Sequence, residues 1–166
     1  MRRLSVLLIS MLLSLVLSSC GFTLRGTDPI GNQFRELHLT GSNPHAPLVR
    51  AMKERLERYS VSLLSQPQSS AAVLYLYPEK LDRALLSLFR TGQVAEYELI
   101  YQVRYEIQAP GQVPQLFTFD LSREYQDDPN AVLAKSRELN LILDELRKLA
   151  SERIVRQLSR LSNQAP

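Results

Sequence analysis

The chain has 166 residues, 45% of them apolar, with 20 basic and 17 acidic side chains, two histidines and one cysteine. That is enough for one domain with its own core, and its long apolar-periodic segments exclude a disordered chain. One cysteine excludes an internal disulfide and any Cys-x-x-Cys metal site. The basic excess falls from +3 to +1 once Arg2 and Arg3 are set aside, so the charge is no nucleic-acid footprint.

Those two arginines belong to residues 1–19, which continue as an apolar run from Leu4 to Leu17 and close on Ser18 and Ser19. This is the layout of a secretory signal, and the run is shorter than the roughly 20 apolar residues of a membrane span. Removing 19 of 166 residues leaves 147. Leu17-Ser18-Ser19-Cys20 resembles the bacterial lipobox, in which the cysteine is lipidated and becomes the new N-terminus. Cys20 is therefore the expected lipid attachment point, with fatty acyl chains such as palmitate; several chains on one residue give the stable anchoring that a single chain does not. Gly21, not aspartate, follows, which by resemblance to the lipoprotein sorting pattern favours the outer membrane.

Residues 20–35 read as an extended, lipidated tether, residues 36–161 as a single α+β domain, and residues 162–166 as a frayed tail. Within the domain, Glu36–Thr40 alternates as a short strand. From Pro47, the residues Leu48, Val49, Met52, Leu56 and Tyr59 mark an amphipathic helix of about three turns. Val73–Tyr77 is apolar throughout, which fits a central strand, and Pro78 predicts a bulge or an edge. Leu81–Phe89 is ambiguous between strand and helix. Thr91-Gly92 predicts a tight turn. Tyr97, Leu99, Tyr101, Val103, Tyr105 and Ile107 alternate with mostly polar residues, as in a sheet packed on one face. Leu116–Tyr125 is a further strand. Asp127-Asp128-Pro129 predicts a helix start.

The last helix carries its apolar stripe from Val132 to Leu161. Ala131 to Leu161 would span about 45 Å, so it either bends near Ser151 or projects beyond the sheet. The expected architecture is a two-layer sandwich in the order β-α-β-β-β-α, with two helices on one face of a four-stranded mixed sheet.

No catalytic constellation is visible. His38 falls in a strand and His45 in a turn, neither with a second histidine at metal spacing. There is no G-x-S-x-G and no phosphate-cradling glycine loop, so the reading is a non-enzyme without metal or dissociable cofactor.

Four segments together carry a resemblance: Cys20-Gly21-Phe22-Thr23-Leu24-Arg25-Gly26, Phe89-Arg90-Thr91-Gly92-Gln93-Val94-Ala95-Glu96-Tyr97, Asp128-Pro129-Asn130-Ala131-Val132-Leu133-Ala134-Lys135, and the closing helix with Glu145, Leu146, Ala150 and Leu158. In this order and spacing they resemble the LptE (RlpB) family of lipopolysaccharide-assembly lipoproteins. The resemblance implies an outer-membrane lipoprotein that faces the periplasm and sits in the lumen of a β-barrel as its plug. It implies a one-to-one complex with an LptD-like barrel whose assembly it aids, and lipopolysaccharide binding during export to the cell surface. The residues it assigns to that binding are Arg90, in the F-R-x-G-Q turn, and Lys135, at the A-L-A-K-like helix start, where Val132 replaces a more usual Met-like residue.

Elementary chemistry agrees with these roles. Arginine offers a fork to phosphate and lysine a point charge, and both positions are expected at the surface. The polar face of the Tyr97–Ile107 strand, with Glu98, Gln102, Arg104, Glu106 and Gln108, suits a hydrophilic barrel lumen. The alternative is a free lipid carrier or chaperone lipoprotein without a barrel partner, which needs an apolar pocket of several hundred Å³.

Overall fold

The computed structural model describes residues 30–127 and 132–164. The expected signal, Cys20 and the Asp128-Pro129 helix start lie outside the described residues. Among the described residues six strands and two α-helices follow one another: β1 (Glu36–Gly41), α1 (Pro47–Arg58), β2 (Ser62–Leu63), β3 (Ala72–Leu76), β4 (Lys80–Leu88), β5 (Val94–Gln108), β6 (Gln115–Gln126) and α2 (Val132–Gln164).

The expected four-stranded sheet is present with two refinements. A two-residue strand, β2, adds to the outer side of β1 in parallel, and the ambiguous segment Leu81–Phe89 is strand as far as Leu88. β1 and β3 pair in parallel, as a strand–helix–strand crossover requires. β3 and β4 then pair antiparallel with successive stretches of the same edge of β5: Leu76 faces Tyr105, and Lys80 faces Gln102. Three residues, Tyr77, Pro78 and Glu79, thus oppose two, Arg104 and Val103. This is the bulge that Pro78 signals, since proline has no N–H for the ladder. The extra residue reverses parity, so that Tyr77 lies on the polar face against Arg104 and Glu106, while Glu79 swings to the helix face.

β6 covers the other edge of β5 over most of its length, with a continuous antiparallel register from Glu96–Gln126 to Ile107–Gln115.

Both helices lie on the face carrying Leu37, Leu74, Tyr101, Val103, Tyr105 and Ile107, all buried. α1 contributes Leu48, Val49, Met52 and Leu56; α2 contributes Leu146, Ala150, Ile154, Val155 and Leu158. Each of these side chains except Ala150 contributes about 1.5–3 kcal/mol on burial. Arg55 of α1 pairs with Glu152 of α2 across the helix–helix seam.

The domain starts earlier and ends later than the periodicity suggests. Ile30 and Phe34 are buried, Asn32–Phe34 forms a 3-10 turn, and the Gly31 N–H donates to Ser162 Oγ at 3.0 Å. A Cβ at Gly31 would lie 2.5 Å from Ser162 Cβ, so glycine permits this close approach. The last turn of α2 is helical because the incoming chain packs on it; an apolar stripe cannot report a contact made by a glycine backbone and a serine.

α2 is one continuous helix of 33 residues, and its two halves differ. No residue from Lys135 to Glu145 is buried, whereas Leu146, Ala150, Ser151, Ile154, Val155, Leu158 and Ser159 all are. The first half extends over the far end of the sheet, where only Leu99 and Tyr125 are buried, both outside the main apolar cluster.

Candidate functional site

That far end carries both cationic residues singled out in the sequence. Arg90 sits at the tip of the β4–β5 hairpin. The turn is closed by Phe89 N–H donating to Gln93 O at 2.8 Å and Gly92 N–H to Phe89 O at 2.9 Å. Gly92 has φ +82°, a left-handed conformation that favours glycine. Arg90 is exposed and makes no ion pair or side-chain hydrogen bond with another described residue.

Its neighbours are apolar and exposed: Leu85, Leu86, Leu88 and Phe89 keep 46–56% of their surface in solvent. Between Leu85 and Leu88 the register with β5 shifts twice, so these leucines lose the alternation that would bury them. Sequence reasoning left this segment ambiguous for that reason. Apolar residues with neither strand nor helix period, directly before an Arg-x-Gly turn, are the signal that could have exposed the patch. A lone cation inside an exposed apolar patch is amphiphilic, and such patches mark binding surfaces.

Lys135 lies on α2 and ion-pairs with Asp127, their side chains 33% and 17% exposed. Beyond this ion pair, Asp127 Oδ1 finds no hydrogen-bond donor among the described residues. The Asp127 N–H donates to Ala95 O at 2.9 Å, and the Tyr125 hydroxyl donates to Lys135 O at 3.3 Å. Lys135 is thereby tied to the end of β6, and through it to the start of β5, a few residues from the tip. The fold brings Arg90 and Lys135 to the same end of the sheet without placing them in contact. They differ electrostatically: among the described residues Arg90 has no partner, whereas the charge of Lys135 already faces a half-buried carboxylate.

A second polar cluster supports this end from below. The Tyr101 hydroxyl donates to Glu79 Oε2 at 2.6 Å. Arg147 of α2 grips the same carboxylate through Nη2 at 2.7 Å and Nε at 3.2 Å, and Arg147 Nη1 reaches Asp144 at 3.0 Å. Burial first, and then the hydrogen bond to Glu79, push the Tyr101 phenol well above the usual tyrosine range. The Pro78 bulge thus delivers a carboxylate that pins α2 to the sheet where the core ends.

Among the described residues no group of three His, Cys, Asp or Glu could hold a metal ion. His38 Nδ1–H donates to Leu64 O at 3.0 Å, and the His45 N–H donates to Asn43 Oδ1 at 2.9 Å; both contacts serve local structure. No described helix is long and apolar enough to cross a membrane.

Comparison with known proteins accounts for this combination. Residues 34–158, well over half the chain, match the family model "LptE: Lipopolysaccharide-assembly". The LPS-assembly lipoprotein LptE of Yersinia enterocolitica is 31% identical over 159 residues, spanning 95% of this chain and 77% of the relative. That of Photorhabdus laumondii is 32% identical over 149 residues, spanning 90% and 82%. Among solved structures, rare lipoprotein B from Shewanella oneidensis superposes with a TM-score of 0.70 at 39% identity, over 76% of this chain and 95% of that one. Lipoprotein B from Nitrosomonas europaea gives a TM-score of 0.70 at 22% identity, over 87% and 94%, and so shares the fold. This is a family of envelope lipoproteins that act in lipopolysaccharide assembly and are not enzymes. The chain belongs to the LptE family of lipopolysaccharide-assembly lipoproteins.

Proposed function

We propose that this lipoprotein is anchored in the outer membrane through acyl chains on Cys20, plugs an LptD-like β-barrel in a one-to-one complex, helps that barrel assemble, and binds lipopolysaccharide at the open end of its sheet. Arg90 is the primary contact there and Lys135 the secondary one. The observation that carries this reading is the exposed Arg90, without a partner among the described residues, beside exposed Leu85, Leu86, Leu88 and Phe89. Lipopolysaccharide offers phosphates for the guanidinium fork and acyl chains for the leucines. Lys135 adds a point charge at the same end, in exchange with Asp127.

The plug role is supported by the opposite sheet face, where Gln102, Arg104, Glu106 and Gln108 alternate along β5. Tyr77 bridges two of them, donating to Glu106 at 2.5 Å and lying under the Arg104 guanidinium, 4.2 Å from its ring centre. A rigid hydrogen-bonding face suits a hydrophilic lumen. A free carrier would need an apolar cavity, and the groove of about 500 Å³ between α1 and α2 is lined largely by Arg50, Glu54, Arg55, Arg147, Lys148 and Glu152.

Two measurements test this. Mild-detergent purification of a C-terminally tagged copy from its native membrane should yield a partner of barrel size in equal amount; a lone lipoprotein would reject the plug. Arg90→Asp should weaken lipopolysaccharide binding and leave that complex intact; unchanged binding would reject the site.

A further inference from the structure

The sheet has two long free edges, and they are built differently. β4 is a poor template for further pairing: its register with β5 shifts twice near Leu85–Leu88, and it carries Lys80, Asp82 and Arg83. Bulges and charges of this kind are how native edges avoid pairing. β6 has neither bulge nor proline: its 12 residues pair with β5 without a register shift, and among the described residues no strand pairs with its other side.

Along that open side runs a groove of about 430 Å³ between β6 and α2. α2 is antiparallel to β6, with Glu145 on Arg123 and Arg153 over Phe119, 4.5 Å from the ring centre. The groove floor is Tyr105, Phe117 and Phe119, with Tyr105 and Phe117 stacked at 5.3 Å. The rim is Arg153, Arg156 and Arg160, all exposed. Arg156 has only a 3.9 Å contact with Glu152, and Arg160 has no ion pair or hydrogen bond with a described residue. Tyr105 is 3% exposed, and its ring lies on the groove floor beneath these arginines. Three exposed arginines above an aromatic floor suit a ligand that carries carboxylates on one side and apolar groups on the other.

We propose that β6 and this groove receive an extended acidic segment of a partner protein, which adds as a further strand on the free edge of β6 and sets its alternate carboxylates against Arg153, Arg156 and Arg160. The spacing fits. Alternate side chains of a strand are about 6.7 Å apart, while Arg156 and Arg160 are separated by about 6 Å along the helix. Strand addition supplies affinity through the main chain and selectivity through every second side chain. Asp120 and Glu124 of β6 fall on the other face of the sheet, away from the arginines. This inference is independent of the hairpin-tip site, since it uses none of the same residues.

The test uses the full-length protein in mild detergent and a short fluorescent peptide alternating glutamate and valine. Binding is read by anisotropy and strand addition by amide hydrogen exchange. The peptide should bind, exchange should slow across Gln115–Ser122, and Arg156→Glu with Arg160→Glu should weaken binding at least about tenfold. Both arginines are exposed, so an unchanged thermal transition will show that the fold survives. A peptide methylated on alternate amides should bind at least about tenfold more weakly, because it cannot complete the ladder. Equal binding of the methylated peptide, equal binding of a lysine-for-glutamate peptide, or displacement by millimolar inorganic phosphate with no change in β6 exchange would overturn the proposal. The last of these would leave an anion site only.

Discussion

The two ends of this sheet obey different rules. At one end, α1 and the second half of α2 close over Leu37, Leu74, Val103 and Ile107, and the Ile30–Phe34 segment packs against the last turn of α2. At the other end, the first half of α2 and the β4–β5 hairpin run on together with no buried residue from Lys135 to Glu145 and four exposed apolar side chains before Arg90. The same apolar composition is therefore used twice, once for stability and once for a surface. The Tyr101–Glu79–Arg147 cluster stands at the boundary and makes the open end a rigid extension of the closed one.

Truncation breaks this contrast most directly. Leu158→Ala or Ile154→Ala at the closed end should cost about 2–5 kcal/mol. Leu86→Ser at the tip should change stability by less than about 0.5 kcal/mol while weakening lipopolysaccharide binding. Denaturant unfolding of both sets, with binding measured alongside, checks this; a large stability loss at Leu86 would place the tip in the core. Arg147→Met should be intermediate, at about 1–3 kcal/mol, because it leaves the Glu79 carboxylate with Tyr101 alone. Its hydrogen-exchange signature should be loosening confined to Lys135–Glu145 and the hairpin.

Sequence patterning foresaw the closed end well and the open end poorly, for one reason. Periodicity records burial. The alternation of Tyr97–Ile107, the spacing of Leu48, Val49, Met52 and Leu56, and the stripe from Leu146 to Leu158 all report side chains facing the same interior. Leu85, Leu86 and Leu88 have no interior to face, so their segment reads as neither strand nor helix. Pro78 was legible because a missing N–H is a local fact. The parity reversal it causes was not, because that depends on register with β5. The anchoring of Ile30–Phe34 was hidden likewise, since a glycine–serine contact leaves no apolar trace. Resemblance, not periodicity, singled out Arg90 and Lys135 as candidates, and it could not reveal that of the two only Lys135 has an ion-pair partner among the described residues.

Alkaline titration separates the ends in another way. Burial pushes Tyr105 up to about 12, against the opposing pull of Arg153 and Arg160, and Tyr101 rises still further. The ordinary value is 10.0. In the unfolded chain these phenols ionise as pH passes 10, while in the folded chain they stay protonated. The stability they protect is thus complete below pH 10 and declines as pH rises through about 12, with a slope approaching about 1.4 kcal/mol per pH unit for each. Denaturant midpoints measured across this window should fall, and Tyr105→Phe should flatten the fall. An unchanged slope would mean that the groove floor admits solvent freely.

The smallest expected effects distinguish the two cations of the open end. Arg90→Ala removes an exposed charge with no partner among the described residues and should leave stability unchanged. Lys135→Ala leaves Asp127, 17% exposed, without the cation that faces it; a pair this accessible is worth no more than about 1 kcal/mol. Asp127→Asn in the same chain should recover that loss, because it removes the charge that was stranded. In lipopolysaccharide binding the order should invert, with Arg90→Ala the more damaging. Lys135 must give up part of its hold on Asp127 to meet a phosphate, whereas Arg90 gives up only water. Asp127→Asn should sharpen the distinction further: with Lys135 intact it releases that cation and should tighten binding, and with Lys135→Ala it should do nothing. Tightening in both backgrounds would show that Asp127 repels the ligand directly, and that the lysine serves the fold alone.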